Sequence, residues 1–181
     1  IENIFEIFKI WKGGMSFHGG LVGVAISILI FSIKNNLDHM VYFDTVSSVA
    51  PIGLFFGRVS NFINGELYGT PTVMPWGVIF PKIDLVARHP SQIYEALLEG
   101  VVLFVILNLL IFLRKNKAGF ISCIFLILYG LFRIVCESFR EPDNHLGYVW
   151  GGYTMGTLLS MIMILFGLLF FLKIKYANKN K

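Results

Sequence analysis

The chain has 181 residues, of which 56% are hydrophobic and 14% charged, against roughly 45–50% and 25% in an ordinary soluble domain. This composition excludes a soluble globular domain, a disordered chain and a disulfide scaffold, and it favours a membrane protein. The net charge of +4 fits the Lys and Arg excess of cytoplasmic loops, so we expect no nucleic-acid partner.

The chain opens on an amphipathic segment, Ile1 to Trp11, in which apolar residues recur at helical spacing. This pattern predicts an interfacial segment that does not cross the bilayer. Five hydrophobic stretches follow, and each is a candidate membrane span. They cover residues 19–33, 40–57, 93–113, 119–139 and 151–172.

A polar stretch, residues 58–92, separates the second and third spans and is punctuated by Gly and Pro. Its length and composition predict a structured loop with a function. The sequence shows no internal repeat. We therefore predict an all-α polytopic membrane protein with about five transmembrane helices, organised as one domain over residues 1–181.

Short basic segments predict the orientation of the spans. The 114–117 connection and the 173–181 tail are both rich in Lys and Arg, and two spans separate them. Both segments therefore fall on one face, which we assign to the cytoplasm. Residues 13–20, 58–92 and 140–150 are then expected on the outer, periplasmic side.

Ionisable residues in the fourth span require either a charged partner or a functional explanation, because placing each one at the centre of a membrane helix costs at least about 2.5–3.5 kcal/mol. Tyr129, Arg133, Glu137 and Arg140 share one helical face. In one interpretation, Arg133 and Glu137 form a pair that satisfies itself. In the other, Arg133 faces a polar cavity and binds an anion.

The third span carries a similar polar stripe, since Gln92, Glu95 and Glu99 also share one face. Both stripes enter from the predicted outer side at matching depth. This arrangement favours one shared interior site over two unrelated polar faces.

The segment from Gly57 to Gly69 is the third candidate element of that site. It contains Arg58, Asn61, Asn64 and Glu66 among glycines and aromatic residues. Arg is suited to a bidentate grip on phosphate, and Asn can donate to phosphate or ester oxygens. The alternative is a capped turn whose Arg58 reaches toward lipid head groups.

His18 precedes the first span and is a candidate general base, because imidazole exchanges a proton near pH 7. A structural role is the alternative, and His39, His89 and His145 compete for the catalytic one. The sequence shows no metal-ligand spacing. Cys123 and Cys136 point about 220° apart on one helix and are interpreted as packing residues.

Four motifs together resemble the prolipoprotein diacylglyceryl transferase family and occur in that family's order along nearly the whole chain. They are His18-Gly19-Gly20-Leu21; Gly57 to Gly69 continuing to Pro75-Trp76-Gly77; His89-Pro90-Ser91-Gln92-Ile93-Tyr94-Glu95 continuing to Gly100; and Tyr129-Gly130-Leu131-Phe132-Arg133 with Arg140-Glu141-Pro142-Asp143. The resemblance implies a bacterial inner-membrane enzyme with its active site toward the periplasmic leaflet.

Members of this family transfer the diacylglyceryl group of phosphatidylglycerol to the thiol of the lipobox cysteine in a prolipoprotein signal peptide. The reaction forms a thioether and releases glycerol 1-phosphate, without a cofactor or metal. By resemblance, His18, Arg58 and Arg133 are the expected catalytic residues. The expected substrate-binding residues are Arg58, Asn61, Asn64, Glu66, Gly69, Tyr129, Glu137 and Arg140.

The sequence departs from the family pattern at Ser60, Thr70, Val73 and Thr157. Family members also carry further membrane-spanning sequence before the His18 motif, so we expect a chain that is N-terminally incomplete relative to the family. A transporter or channel is the alternative function, because intramembrane Arg and Glu also mark ion pathways. An inactive structural homologue is a further alternative.

Overall fold

The computed structural model describes residues 17–113, 117–142, 148–150 and 152–176. Within these ranges the helices are α1 (Phe17–Lys34), α2 (His39–Asn64), α3 (Ser91–Leu113), α4 (Phe120–Glu137) and α5 (Met155–Tyr176). Two short antiparallel ribbons pair β1 (Val78–Ile79) with β2 (Ala87–Arg88), and β3 (Tyr148–Trp150) with β4 (Tyr153–Thr154). The predicted interfacial segment, Ile1 to Trp11, lies outside the described residues, as do the basic residues of 114–116 and 177–181.

Helices α2 to α5 are, among the described residues, the four that are long and apolar enough to cross a membrane. They confirm four of the five predicted spans and the all-α polytopic fold. The first predicted span, 19–33, falls in α1, whose described apolar stretch, Val22–Lys34, is shorter than the other four. Large side chains such as Phe112 and Phe166 are exposed on the helices, as side chains that face lipid should be.

Helix α2 is longer than the sequence predicted, because it continues through residues 58–64. These residues were expected in the outer loop. The helix ends where Gly65 adopts a φ of +72°, the left-handed conformation that commonly follows a helix C-terminus. Arg58 and Asn61 therefore lie on the last two turns of a helix, which holds their backbone more firmly than a loop does.

Contacts divide the chain into two compact units, Ile1–Phe43 and Asp44–Lys181. In the first unit, a turn at Asn36 (φ +53°) connects α1 to α2, and the Asp38 carboxylate accepts a 2.9 Å hydrogen bond from the Met40 N–H at the start of α2. The single-domain organisation of residues 1–181 remains a prediction.

The second unit packs its helices through small residues. A Cβ on Gly130 of α4 would lie 2.7 Å from Ile164 Cγ1 of α5, and a Cβ on Gly100 of α3 would lie 2.7 Å from Phe55 Cβ of α2. Helices in membranes commonly approach each other at such positions. Between α3 and α4, the buried side chains of Leu103, Leu107 and Ile121 form the apolar core. These contacts align the polar stripes of neighbouring helices.

Asp44 of α2 caps the first turn of α4. Its Oδ2 accepts a 2.8 Å bond from the Gly119 N–H, and its Oδ1 accepts bonds of 2.8 and 2.7 Å from the N–H and Oγ of Ser122. An acidic side chain is favourable here, because the first N–H groups of a helix have no partner within it and carry partial positive charge. Asp44 thus fixes the start of α4 against α2.

We expect Asp44→Ala to destabilise the protein by about 2 kcal/mol, since it removes three hydrogen bonds at a helix start. Asp44→Asn, which keeps one acceptor, should lose less. Unfolding in detergent, followed by circular dichroism, measures both effects. Ser47→Ala is the control, because Ser47 makes only a 3.3 Å hydroxyl contact with Ser122. Equal effects of Asp44→Ala and Ser47→Ala would contradict the capping role.

Candidate functional site

Glu95 of α3 is the centre of a buried ionic cluster, and its residue is 0% exposed. Its Oε2 lies 2.8 Å from Arg58 Nε on α2, and its Oε1 lies 2.6 Å from Arg133 Nη1 on α4. Arg140, which follows α4, places Nη1 3.7 Å from the same Oε1. One carboxylate therefore connects three guanidinium groups from three segments of the chain.

Two further carboxylates complete the cluster. Glu99 Oε2 lies 3.3 Å from Arg58 Nη2, and Glu99 Oε1 lies 3.8 Å from Arg133 Nη1. Glu137 Oε2 lies 2.6 Å from Arg133 Nη2, while its Oε1 accepts a 2.8 Å hydrogen bond from the hydroxyl of Thr154 in β4, immediately before α5. The cluster thus joins α2, α3 and α4 to the residue that precedes α5.

A π-helical segment, Ala96–Val102, helps to set this geometry. Glu95 ends the α-helical turn that precedes the segment, and Glu99 lies inside it. Such wider turns are rare and occur frequently at functional sites. Because Gly100 in the same segment packs against Phe55, α3 lies close enough to α2 for both carboxylates to reach Arg58.

The charges of the cluster balance, since three arginines meet three glutamates. Burying an isolated charge at this depth would be strongly unfavourable, so each guanidinium requires a carboxylate. A guanidinium has five N–H donors, and the glutamates occupy only part of that capacity at Arg58 and Arg133. An anion with several oxygens suits such donors, in competition with the glutamates.

The structure describes the partners of the two arginines for which two interpretations were left open. Arg133 forms the predicted pair with Glu137, but it also donates a 2.6 Å hydrogen bond to Glu95, so that pair is not self-contained. The Arg58 side chain is 15% exposed and contacts two fully buried carboxylates. The alternative in which it reaches toward lipid head groups is therefore wrong.

The other predicted residues of α2 and the turn after it lie near the end of that helix. The Asn61 carbonyl accepts a 2.8 Å hydrogen bond from the Glu66 N–H, and the Glu66 carbonyl accepts one of 2.6 Å from the buried Gln92 side chain. Asn64 lines a separate cavity of about 110 Å³. The Glu66 side chain is exposed. Substrate-binding roles for these residues remain predictions.

Gly69 occupies a narrow position between two backbone segments. It bridges Arg140 across an antiparallel pair, and a Cβ there would overlap the carbonyl oxygens of His89 and Phe139. Only glycine fits such an approach. Tyr129, on the polar face of α4, stacks on Phe125 with ring centroids 5.7 Å apart.

The structure describes the side chains of two of the four histidines and assigns a catalytic role to neither. His18 belongs to α1, but its side chain lies outside the described part of the chain, and so does His145. His89 Nδ1 lies 3.1 Å from the Tyr94 hydroxyl, and the His39 ring packs edge-on against Phe43. The role of His18 as a base stays a prediction.

Arg88 of β2 connects the loop between α2 and α3 to the segment that follows α4. Its guanidinium pairs with Asp84 at 2.6 Å and with Glu141 at 3.2 Å, donates a 3.1 Å hydrogen bond to the Gly69 carbonyl, and lies over the Tyr68 ring. Since Glu141 is the neighbour of Arg140, this clamp holds the loop against the segment that supplies the third arginine.

Sequence reasoning identified the stripe of Glu95 and Glu99 but did not include either among the site residues. Their position in an apolar span was a sufficient signal. Thr154 was missed because a hydroxyl residue near the start of a span carries no such signal. A cavity of about 260 Å³ lies beside the cluster, and Glu137, Arg140 and Thr154 contribute to its lining. Among the described residues, no group of three His, Cys, Asp or Glu is arranged to hold a metal ion.

Fold and site together define a polytopic membrane protein with a buried arginine and glutamate cluster at one end of its helices. The family model described as prolipoprotein diacylglyceryl transferase matches residues 1–173. The chain therefore belongs to the prolipoprotein diacylglyceryl transferase family.

Several curated relatives carry the name phosphatidylglycerol--prolipoprotein diacylglyceryl transferase. The relative from Azospirillum brasilense is 52% identical over 171 residues, which are 92% of this chain and 64% of the relative. The one from Wolbachia pipientis subsp. Culex pipiens is 49% identical over 95% of this chain and 66% of its own. The one from Rickettsia bellii is 51% identical over 99% and 69%. The chain thus spans about two thirds of the length of these relatives.

We expect Glu95→Gln to destabilise the protein by about 3–5 kcal/mol, because it leaves buried guanidinium charge without compensation. Glu99→Gln is the matched control, since Glu99 is equally buried on the same helix but contacts two arginines at longer distances. Unfolding in detergent measures both variants. A loss at Glu99→Gln as large as that at Glu95→Gln would contradict the central position of Glu95.

The clamp around Arg88 should weaken in acid. The hydrogen bond from Arg88, and then that from the Val86 N–H, hold the pKa of Asp84 below its usual range. A carboxyl with a depressed pKa contributes its stability fully above the pKa of the unfolded chain, about 3.9, and loses it as pH falls through the lower folded value. The difference in Tm between wild type and Asp84→Asn should therefore be largest near neutral pH and vanish in strong acid. A difference independent of pH would contradict this assignment.

Proposed function

We propose that the protein transfers the diacylglyceryl group of phosphatidylglycerol to the lipobox cysteine thiol of prolipoproteins. The observation that carries the proposal is the cluster of Arg58, Arg133 and Arg140 in a chain of this family. The names of the relatives support the same reaction and do not favour a transporter or channel.

The arginines suit the substrate, because phosphatidylglycerol carries a phosphodiester between two glycerol groups. Arg58 and Arg133 bind its phosphate through guanidinium N–H groups that the glutamates leave available. Negative charge grows on the phosphate oxygen as the glycerol carbon–oxygen bond breaks. Fixed cations in a low-dielectric site stabilise that charge strongly. Glu95, Glu99 and Glu137 hold the cations in place before the lipid binds.

The group transfer forms a carbon–sulfur bond and breaks a carbon–oxygen bond. The cysteine sulfur attacks the diacylglycerol carbon that bears the phosphate, and the electron pair of the broken bond leaves with glycerol 1-phosphate. The thiol proton passes to a base, since the thiolate is the nucleophile. We propose His18 for this role, with Glu66 as the alternative acceptor. Asn61, Asn64, Gly69 and Tyr129 complete the proposed binding surface.

We place the reaction at the outer leaflet of the bacterial inner membrane. The described basic residues Lys117, Lys173 and Lys175 lie before α4 and in the last turns of α5, at the opposite ends of these helices from Arg133 and Thr154. Because positively charged segments remain on the cytoplasmic side, the cluster faces the periplasm in this orientation.

The test is Arg133→Gln in membranes supplied with phosphatidylglycerol and a lipobox peptide. We expect thioether formation to fall by about 100-fold or more, as when a fixed donor to a developing anion is lost. Mass spectrometry of the peptide and release of glycerol phosphate measure the reaction. Lys82→Gln is the control, because Lys82 is an exposed cation outside the cluster.

The outcomes separate three parts of the proposal. Absence of product from the unmodified full-length protein would refute the transferase function. An Arg133→Gln variant that keeps most of its activity would refute phosphate binding by that arginine. A fully active His18→Ala variant would refute His18 as the base and leave the arginine assignment standing.

A further inference from the structure

We propose that the 260 Å³ cavity beside the cluster binds the two free hydroxyls of the phosphatidylglycerol head group. The inference rests on the proposed function and names the part of the site that recognises the departing glycerol. The cavity lies where α4 ends and α5 begins, next to the segment around Thr70. Its volume is below the roughly 300–1,000 Å³ of sites for drug-sized ligands, and so it suits a small polar group.

Hydroxyl groups dominate the lining. Five of its ten residues carry one, namely Thr70, Ser138, Tyr153, Thr154 and Thr157. Hydroxyls both donate and accept hydrogen bonds, and they rotate to suit a partner. A wall of this kind matches a neutral diol better than it matches an acyl chain.

The hydrogen bonds within the cavity wall leave hydroxyl lone pairs that a ligand can use as acceptors. Thr154 Oγ1 gives its proton to Glu137, so the 3.1 Å contact between the Thr154 and Thr157 hydroxyls has Thr157 as donor. With its proton thus used, Thr157 offers lone pairs to a hydroxyl of the ligand. The Thr70 hydroxyl makes only a 3.5 Å contact with the Phe139 carbonyl, at the limit of hydrogen bonding, and can turn to a ligand.

The position of the cavity matches the order of groups in the lipid. Glu137 and Arg140 belong both to the ionic cluster and to the cavity wall. A phosphate held at the cluster therefore places the head-group glycerol, which is attached to it, at the mouth of the cavity.

The experiment compares phosphatidylglycerol with phosphatidylpropanol, whose head group lacks both hydroxyls. We expect the full-length protein to use phosphatidylglycerol about 10-fold better in kcat/KM, since one or two hydrogen bonds are lost with the analogue. Thr70→Val and Thr157→Val should each reduce that preference several-fold while leaving turnover of phosphatidylpropanol nearly unchanged. In the hydrogen bonds given above, neither the Thr70 hydroxyl nor the Thr157 hydroxyl contacts an arginine.

Matched controls are Thr72→Val, which changes a threonine near Thr70, and Ser160→Ala, which removes a hydroxyl one turn after Thr157. Neither residue lines the cavity, so both variants should retain the full preference for phosphatidylglycerol. Equal use of the two lipids by the unmodified protein would overturn the inference. So would a loss at Thr70→Val and Thr157→Val that is the same for both lipids, because that result indicates a structural effect.

A binding measurement separates this inference from the proposed function. Calorimetry on the detergent-solubilised full-length protein should show tighter binding of glycerol 1-phosphate than of propyl phosphate. That preference, together with absence of thioether product, would refute the transferase and retain the hydroxyl subsite. Product formation with equal affinity for the two phosphates would retain the transferase and overturn the subsite.

Discussion

The ion pairs between three buried arginines and three buried glutamates are the interaction on which the rest of the structure depends. Guanidinium groups cannot be left unpaired among apolar helices, because burial removes the water that would otherwise solvate them. Glu95 contacts all three cations, so the polar ends of α2, α3 and α4 must lie together. The apolar spans provide the membrane setting, but this cluster determines which helix faces meet inside it.

Close backbone approach makes that cluster possible. Gly100 allows α3 to contact Phe55 of α2, and Gly130 allows α4 to contact α5. Packing through small residues also limits the room for side chains to rearrange, which keeps the carboxylates on their partners. The position of Gly69 and the bonds of Arg88 hold the loop between α2 and α3 against the segment that carries Arg140. Helix packing and loop packing thus support the same group of charges.

Hydrophobicity and helical spacing were sufficient to predict four spans and the polar faces of two of them. Helical spacing places Glu95 and Arg133 on one face of their own helices at a given depth. It does not show which face of a neighbouring helix each of them contacts. The link from Glu95 to Arg140 therefore required the structure. The sequence also ended α2 too early, because the apolar run stops before the helix does. The two-residue strands of β1 and β2 were missed since they are too short to show a period.

Electroneutrality of the cluster has a consequence for the proposed reaction. A phosphodiester brings one negative charge to a site whose own charges sum to zero, so it binds by sharing guanidinium donors with the glutamates and not by neutralising an excess of cations. After transfer, the released phosphate is a monoester and carries about −1.5 to −2 charges near neutral pH. The nearby carboxylates of Glu95, Glu99 and Glu137 repel that product more strongly than they repel the lipid. In the proposed reaction the glutamates therefore offset the attraction of the arginines for glycerol 1-phosphate, so that the cluster does not retain this product as an uncompensated group of cations would.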